Sequence, residues 1–323
     1  MKSVIEIFST LGDRLINSGR DSCQSDVINA ACRENSWFSR EDIIYAVEAL
    51  REKMLSQELL ERWLAEYDGR KRQRVLLIMA GNIPLVGFFD LLCVIASGGE
   101  CYYKPSSKDR VLIDYIAGLL KEIEPAIPIY KYSEHSPTPD KVIATGGESA
   151  AKSFRAQYGH LPTLIRSSRH SIALLKGDES AGEIERLCSD IYRYSGLGCR
   201  NVSMLFIPRS KMVNLPKFTT NDKYHRNYLQ TRAVLTLDGE SFIDNGCSIF
   251  RYRSEFPSSL STISLFEYDS LEDVDSWIAS HDEQLQCIVG DLPHTRCIGF
   301  GESQRPGLWD YADEVDVMKF LLL

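Results

Sequence analysis

The sequence predicts an α/β protein that combines a doubly wound parallel sheet with a second α/β region and a helical N-terminal segment. Three observations predict this architecture. Residues 1 to about 70 read as helical, with apolar residues at helical spacing in their second half. From Val75 onward, short apolar runs alternate with helix-length runs, which is typical of parallel βαβ units. Turn residues follow the first strands, where doubly wound sheets bind ligands.

The expected elements follow in chain order. In the N-terminal segment, Ser39–Asp42 resembles a capping box and opens an amphipathic run that ends near Tyr67. The first sheet region has expected strands at 75–79, 101–104, 127–130 and 141–145, with helices after the first strand, at 111–123 and from 149. The second region has expected strands at 171–175, 202–207, 261–266, 286–289 and 297–300, with helices at 182–194 and 221–237.

Length and composition narrow the class of protein. A chain of 323 residues is long enough for two domains or one large α/β unit with a full core. The net charge is -8 and no basic block occurs, which argues against nucleic-acid binding. The N-terminus does not read as a signal peptide. The longest apolar run, 83–97, is interrupted by Pro84, Gly87 and Asp90, so we expect no membrane span.

The cysteines argue against a metal site or a disulfide framework. Nine are present, an odd number, and they are scattered without CxxC spacing or an accompanying histidine cluster. We therefore expect no bound metal and reduced thiols, as in a cytoplasmic protein. Most of the nine should be packing residues.

One cysteine stands apart because of its surroundings. Cys199 follows glycines at 196 and 198 at the end of an amphipathic run, and Arg200, Asn201 and a strand-like run come after it. Backbone N–H groups at such a turn favour a thiolate and can bind an oxyanion, while glycines leave room for a substrate carbonyl. The sequence therefore indicates a nucleophile, and the alternative is a small buried residue beside a turn.

Four sequence blocks, in this order, carry a resemblance to a known family. They are Ala80-Gly-Asn-Ile-Pro-Leu85, Tyr103-Lys-Pro-Ser106, Ala144-Thr-Gly-Gly147 and Ser195-Gly-Leu-Gly-Cys199. Their order resembles the aldehyde dehydrogenase superfamily. The chain is most similar to the acyl-CoA reductase family, whose best-known member is the fatty-acid reductase component of bacterial bioluminescence. The similarity runs from about Val75 to the C-terminus, and each block alone is weak.

The resemblance implies a domain organisation. It suggests a dinucleotide-binding domain at 73–170, a catalytic domain with the cysteine nucleophile at 171–300, and a C-terminal segment at 301–323. The helical pattern before them predicts a helical N-terminal segment at 1–72. It also implies that Asn82 donates its side-chain amide to the oxyanion that forms when Cys199 attacks a carbonyl. The alternative for Asn82 is a cap on the next helix or a support for the turn.

The resemblance also implies a nicotinamide cofactor and residues that bind it. Lys104 and Ser106 match the block that binds the cofactor ribose, and Gly146 and Gly147 match the turn near the pyrophosphate. Relatives that prefer NAD commonly carry an acidic residue three positions after the lysine. Here Ser107 stands there, with Lys108 after it, and both can accept a 2′-phosphate. We expect NADPH, with NADH as the alternative.

Three further positions bear on the reaction. Glu255 lies near the block whose glutamate binds the nicotinamide ribose in the superfamily, although the match is loose. Arg166 stands where hydrolytic relatives carry a catalytic glutamate, and an arginine stays protonated and cannot act as a base. His170 is the histidine nearest to Cys199 in sequence, and a Cys–His dyad would indicate a hydrolase or acyltransferase.

These features predict an NADPH-dependent reductase that converts an acyl thioester into an aldehyde through an acyl-cysteine intermediate. The acyl donor is an acyl-CoA or an acyl-carrier or acyl-protein, and a partner acyl-transfer enzyme and a homo-oligomer are both compatible with the sequence. Two alternatives remain open. One is a cysteine-dependent acyltransferase or thioesterase that uses no nicotinamide, and the other is a non-catalytic nucleotide-binding subunit.

Overall fold

The computed structural model describes residues 2–15, 22–209, 211 and 215–323. The chain divides into two compact units, one of Met1–Ser168 with Arg305–Leu323 and one of Arg169–Gln304. Both units contain a largely parallel sheet and helices, which confirms the predicted α/β class.

The first unit is built on a parallel sheet. Its strands in the described chain are β1 (Arg74–Ile78), β2 (Glu100–Lys104), β3 (Ile129–Lys131), β4 (Lys141–Thr145) and β5 (Thr163–Arg166). They lie in the order β3-β2-β1-β4-β5, and every neighbouring pair is parallel. The strand order reverses between β1 and β4, which makes the sheet doubly wound, and ligands bind such sheets outside the carboxyl ends of the strands at this point.

Helices cover both faces of this sheet. In chain order they are α1 (Val4–Arg14), α2 (Ser22–Glu34), α3 (Arg40–Met54), α4 (Gln57–Leu64), α5 (Phe88–Ala96), α6 (Arg110–Ile123) and α7 (Glu148–Tyr158). Helices α1 to α6 share one apolar core with β1 and β2. On the other face, Phe154 and Tyr158 of α7 pack against Leu76, Val142 and Ala144.

The N-terminal helices and the C-terminal segment pack in the same unit as this sheet. Leu308, Val317, Met318 and Leu321 belong to the core that the N-terminal helices share with the sheet. Polar contacts join the same parts of the chain: the indole N–H of Trp63 donates to the hydroxyl of Tyr311 at 2.8 Å.

The second unit contains a longer sheet. In chain order its strands are β6 (His170–Leu174), β7 (Val202–Pro208), β8 (Ile243–Asp244), β9 (Ile249–Tyr252), β10 (Thr262–Tyr268), β11 (Leu285–Val289) and β12 (Cys297–Ile298). Within the described residues the order is β12-β11-β6-β7-β10-β9-β8, and only the β8–β9 pair is antiparallel. The helices are α8 (Ala181–Tyr192), α9 (Asp222–Leu237) and α10 (Leu271–Ser280), and α11 (Val317–Leu322) follows in the first unit.

Several elements differ from the sequence-based expectation. The amphipathic run predicted from 39 to 67 is two helices, α3 and α4, because the Ser56 side chain caps a new helix by accepting from the N–H of Leu59. Strands β5, β8 and β9 and helix α10 were not predicted. Strand β5 is short and mostly half-buried, and β8 is a two-residue exposed edge, so neither has a strong apolar pattern.

None of the helices in the described part of the chain has the length and the apolar character that a bilayer crossing requires.

Candidate active site

Three loops lie at the edge of the first sheet that is formed by the carboxyl ends of its strands. They follow the carboxyl ends of β1, β2 and β4, and they carry Asn82, Lys104 to Ser107, and Gly146 with Gly147. Because the strands are parallel, these ends lie on one edge of the sheet. The structure thus brings to one edge all the cofactor-binding residues predicted in this unit, together with Asn82.

The turn that carries Asn82 is held by a buried carboxyl group. Asp109 is 2% exposed, and its Oδ2 accepts a hydrogen bond of 2.8 Å from the N–H of Leu85. Leu85 has a φ of +58°, a left-handed conformation that costs a non-glycine residue energy. Helix α5 begins at Phe88, and its N-cap residue is Gly87, so Asn82 does not cap this helix.

The Asn82 turn and the loop after β2 pack closely against each other. A Cβ atom on Gly81 would lie 2.6 Å from the Cβ of Ser106, which only a glycine at 81 avoids. The N–H of Met79 donates to the carbonyl of Lys104 at 3.0 Å, and the N–H of Asp109 donates to the carbonyl of Ser106 at 3.1 Å. The Lys104 and Ser107 side chains are exposed. Asn82 and the predicted ribose-binding residues are therefore fixed relative to one another.

The sequence did not indicate that Asp109, which precedes a predicted helix, holds the Asn82 turn. An aspartate in that place is normally read as a helix cap. Asp109 does occupy the N-cap position of α6, yet its side chain makes no capping bond and turns towards Leu85. Burial raises the pKa of this carboxyl well above its usual range, although the bond from the Leu85 N–H lowers it. Its other oxygen, Oδ1, has no hydrogen-bond partner among the described residues.

The turn after β4 contains two glycines and leads into helix α7. A Cβ on Gly146 would lie 2.9 Å from the Cβ of Ala150, so the turn needs glycine there. Gly147 is the N-cap residue of α7 and provides no side-chain cap, and a Cβ at this position would meet nothing nearer than Ser168 Oγ at 4.0 Å. The helix N-terminus carries a partial positive charge and suits an anionic group.

Arg166 ends β5 and forms a buried ion pair. Its Nη1 lies 2.7 Å from Oδ2 of Asp90 on α5, and the two side chains are 7% and 8% exposed. Burial acts to lower the pKa of Arg166, but the neighbouring Asp90 carboxylate outweighs it and raises that pKa. Arg166 therefore stays charged and cannot accept a proton from water.

In the second unit, Cys199 lies in a turn with an unusual backbone. Helix α8 ends at Tyr192, and Tyr194, Ser195 and Gly196 then adopt φ values of +55°, +56° and +69°. Two consecutive non-glycine residues in this conformation store strain, which functional sites often contain. Cys199, which is half-buried and not part of a disulfide, follows them.

Two buried polar residues contact this turn. The Asn201 side chain accepts a hydrogen bond of 2.8 Å from the N–H of Gly198 and donates to carbonyls at the end of α8. The Ser171 hydroxyl donates to the carbonyl of Cys199 at 2.9 Å. Neither role was predicted. The available signals were an asparagine two residues after Cys199 and a serine at the start of an apolar strand.

His170 and Glu255 both lie in the second unit. The His170 ring stacks on Phe256 with centroids 4.4 Å apart, and its Nδ1 lies 3.3 Å from Ser203 Oγ. Burial lowers the pKa of His170. Its contacts give it a packing role. Glu255 is exposed in the loop between β9 and β10, and its carbonyl accepts a hydrogen bond of 2.7 Å from Ser264.

Comparison with known proteins relates this arrangement to one family and one fold. The family model described as "Acyl-CoA reductase (LuxC)" matches residues 18–221. A comparison with curated proteins gave no significant match.

Solved aldehyde dehydrogenases share the fold. The chain is similar to the NAD+ complex of an aldehyde dehydrogenase from Bacillus cereus, with 16% identity, a TM-score of 0.62, and coverage of 90% of this chain and 72% of that one. Aldehyde dehydrogenase 21 from Physcomitrella patens, in complex with succinate, gives 13% identity, a TM-score of 0.65, and coverage of 90% and 74%. At these identities the likeness shows the fold alone.

Proposed function

The chain belongs to the acyl-CoA reductase family within the aldehyde dehydrogenase fold, and from this membership we propose that it reduces an acyl thioester to an aldehyde with NADPH through an acyl-cysteine at Cys199. The observation that carries the proposal is the half-buried thiol of Cys199 on its strained turn, inside the segment that the family model matches. A thiol in this setting suits covalent catalysis.

The proposed reaction begins with acyl transfer to Cys199. The thiolate attacks the carbonyl carbon of the thioester, a new C–S bond forms, and the bond to the donor thiol breaks, so that the donor leaves and takes up a proton. The side-chain amide of Asn82 donates a hydrogen bond to the carbonyl oxygen while that oxygen carries negative charge. Removal of such a donor typically slows a reaction about 100- to 1000-fold.

The second half of the proposed reaction returns the cysteine. A nicotinamide cofactor held by the loops of the first unit would supply a hydride to the acyl carbon. Cys199 would then carry a thiohemiacetal once the oxygen takes up a proton. Loss of the hydroxyl proton and cleavage of the C–S bond then release the aldehyde and the thiolate. The balance is one acyl thioester, one NADPH and one proton consumed, with one aldehyde, one free thiol and one NADP+ formed.

Features of the first unit support the proposed cofactor site. The close glycine turn at Gly146 and the α7 N-terminus at Gly147 suit a pyrophosphate. We assign Lys104 and Ser106 to the adenosine ribose and Glu255 to the nicotinamide ribose. Ser107 and Lys108 are both exposed next to Lys104, and neither would repel a 2′-phosphate, so we propose NADPH as the preferred cofactor and NADH as the alternative.

Arg166 supports reduction over hydrolysis. The residue at this position is a buried, charged arginine paired with Asp90, and it cannot remove a proton from water. An acyl-cysteine without such a base nearby persists until hydride or another thiol reaches it. The packing of His170 on Phe256 gives no support to a Cys–His dyad and hence to the thioesterase alternative.

The donor and the setting belong to the same proposal. We propose an acyl-CoA, or an acyl group carried on a protein, as the donor, with a partner acyl-transfer enzyme in the second case. We also propose a cytoplasmic setting, because the cysteine spacing in the sequence does not indicate a disulfide framework, and a homo-oligomer is compatible with the reaction.

The direct test supplies acyl-CoAs of different chain lengths with NADPH or NADH and follows nicotinamide absorbance and aldehyde release. We expect aldehyde with NADPH, and none from Cys199→Ser. Ser107→Glu should favour NADH, because a carboxylate repels the 2′-phosphate. Continued release of free CoA without nicotinamide, beyond one equivalent per enzyme, would favour a thioesterase. Nucleotide binding without turnover, together with an unreactive Cys199, would favour the non-catalytic subunit.

A further inference from the structure

Asn201 uses its whole side-chain amide to fix the turn before Cys199. It is 4% exposed, and its Oδ1 accepts from the N–H of Gly198 at 2.8 Å. Its Nδ2 donates to the carbonyls of Asp190, Ile191 and Arg193 at 3.0, 3.2 and 2.9 Å. The side chain thereby satisfies carbonyl groups at the end of α8 and connects them to the residue that precedes Cys199.

Ser171 fixes the backbone on the other side of the same cysteine. It is fully buried, and its hydroxyl donates to the carbonyl of Cys199 at 2.9 Å. The N–H of Cys287 on β11 donates to the same hydroxyl oxygen at 3.2 Å. The hydroxyl thus accepts from one strand and donates to the turn, and the β6 pairing with β7 shifts its register just after Ser171.

The Ser171 contact fixes the direction of the peptide that follows Cys199. All described peptide bonds are trans, so the N–H of Arg200 points opposite to the Cys199 carbonyl and therefore away from Ser171. The N–H of Gly198 is taken up by Asn201. The turn would otherwise relax, since Tyr194 and Ser195 have unfavourable φ values.

We propose that Asn201 and Ser171 are positioning residues for the nucleophile, which hold the backbone on both sides of Cys199 in the one conformation that makes its thiol reactive. This inference rests on the proposed function, because it assumes that Cys199 is the nucleophile. It goes beyond that function in assigning the reactivity to two residues that touch neither substrate nor cofactor.

The test measures the alkylation rate of Cys199 by iodoacetamide against pH, with mass spectrometry of the peptide that contains it. The full chain is used as wild type, Asn201→Asp and Ser171→Ala. Asn201→Asp keeps the acceptor for Gly198 but replaces the donor to three carbonyls with an acid. Ser97→Ala is the matched control, because Ser97 is also fully buried and also donates one hydrogen bond of 2.9 Å to a carbonyl, that of Val94.

We expect the pH at which alkylation reaches half its maximal rate to be higher in Ser171→Ala and Asn201→Asp than in the wild type. At neutral pH, Ser171→Ala should react about five-fold more slowly and Asn201→Asp at least about ten-fold more slowly, in line with the loss of one and of several hydrogen bonds. The rate constant for reduction should fall with them, while the KM for NADPH stays unchanged. Ser97→Ala should keep the wild-type pH profile and rate.

Each result separates the inference from the proposed function. If Ser171→Ala and Asn201→Asp fold and react as Ser97→Ala does, the inference is wrong and the proposed function stands. If wild-type Cys199 reacts no faster than a free thiol and supports no turnover, the proposed function fails, and the inference fails with it. If Asn201→Asp does not fold, the pH profile of Ser171→Ala decides alone.

Discussion

The Asn82 turn in the first unit and the Cys199 turn in the second both have a strained backbone, but they differ in the number of hydrogen bonds that hold it. Each contains non-glycine residues at positive φ, Leu85 in one and Tyr194 with Ser195 in the other. Buried polar side chains hold each of them, Asp109 in the first turn and Asn201 with Ser171 in the second. Asn201 bonds through both of its polar atoms, whereas Asp109 makes one bond and leaves Oδ1 without a described partner.

More side-chain hydrogen bonds therefore hold the backbone of the Cys199 turn than that of the Asn82 turn. A hydrogen bond between buried groups adds modestly to the free energy of unfolding. Removal of one partner costs more, because the remaining buried group is left without a hydrogen bond. Asn201 has four such groups around it, and Asp109 has one. The two turns should therefore respond unequally to the same kind of substitution.

The largest difference is expected from truncation of the two side chains. Asn201→Ala should destabilise the protein by about 3 kcal/mol or more, because it leaves a buried N–H and three carbonyls without their partner. Asp109→Ala should cost about 1–2 kcal/mol, since it removes a single accepted bond. Urea unfolding of both variants measures the difference. Equal losses would contradict the comparison.

A smaller effect is expected where the Asn82 turn meets the cofactor loop. Gly81→Ala would bring a Cβ within 2.6 Å of Ser106 and push the two loops apart, at a cost of about 1–3 kcal/mol. The KM for NADPH should rise with it. Gly147→Ala, where the nearest atom is 4.0 Å away, should keep the wild-type unfolding midpoint. A neutral outcome at 81 would show that the loops tolerate separation.

The smallest effect concerns pH. Burial raises the pKa of the Asp109 carboxyl well above its usual range, so the folded state keeps this proton after the unfolded state has lost it. The contribution of protonated Asp109 to the free energy of unfolding is fully present below about pH 3.9. It is lost as the pH rises towards the pKa of Asp109 in the folded state. Asp109→Asn does not titrate, so between pH 4 and 5 it should gain about 1 kcal/mol on wild type. An unchanged difference would count against a buried, neutral Asp109.

The sequence predicted the architecture well where the chain is most periodic. The apolar runs that became β1, β4, β6 and β7 are largely buried strands, and β2 was predicted although it is only partly buried. A strand followed by glycine or lysine-proline predicts a loop at the carboxyl edge of the sheet. The family and the superfamily fold were also correctly identified from four short blocks in order. The residue roles derived from those blocks remain predictions.

The residues that support the two turns were beyond prediction for a physical reason. Asp109 accepts from a backbone N–H 24 positions away, and Asn201 donates to carbonyls 8 to 11 positions away, so the neighbouring sequence does not identify these partners. Ser171 looked like an ordinary residue of an apolar strand, although its hydroxyl donates to a carbonyl 28 positions away. Likewise, Arg166 showed only that a base was missing, and its buried pairing with Asp90 follows from the fold.

Trapping of the acyl-enzyme tests directly whether Cys199 is the nucleophile. The protein is incubated with an acyl-CoA in the absence of NADPH, and its cysteine peptides are analysed by mass spectrometry. We predict one acyl group on Cys199, which disappears as aldehyde when NADPH is added. Acylation of a different cysteine, or an unmodified Cys199 in a protein that still forms aldehyde, would show that Cys199 is not the nucleophile.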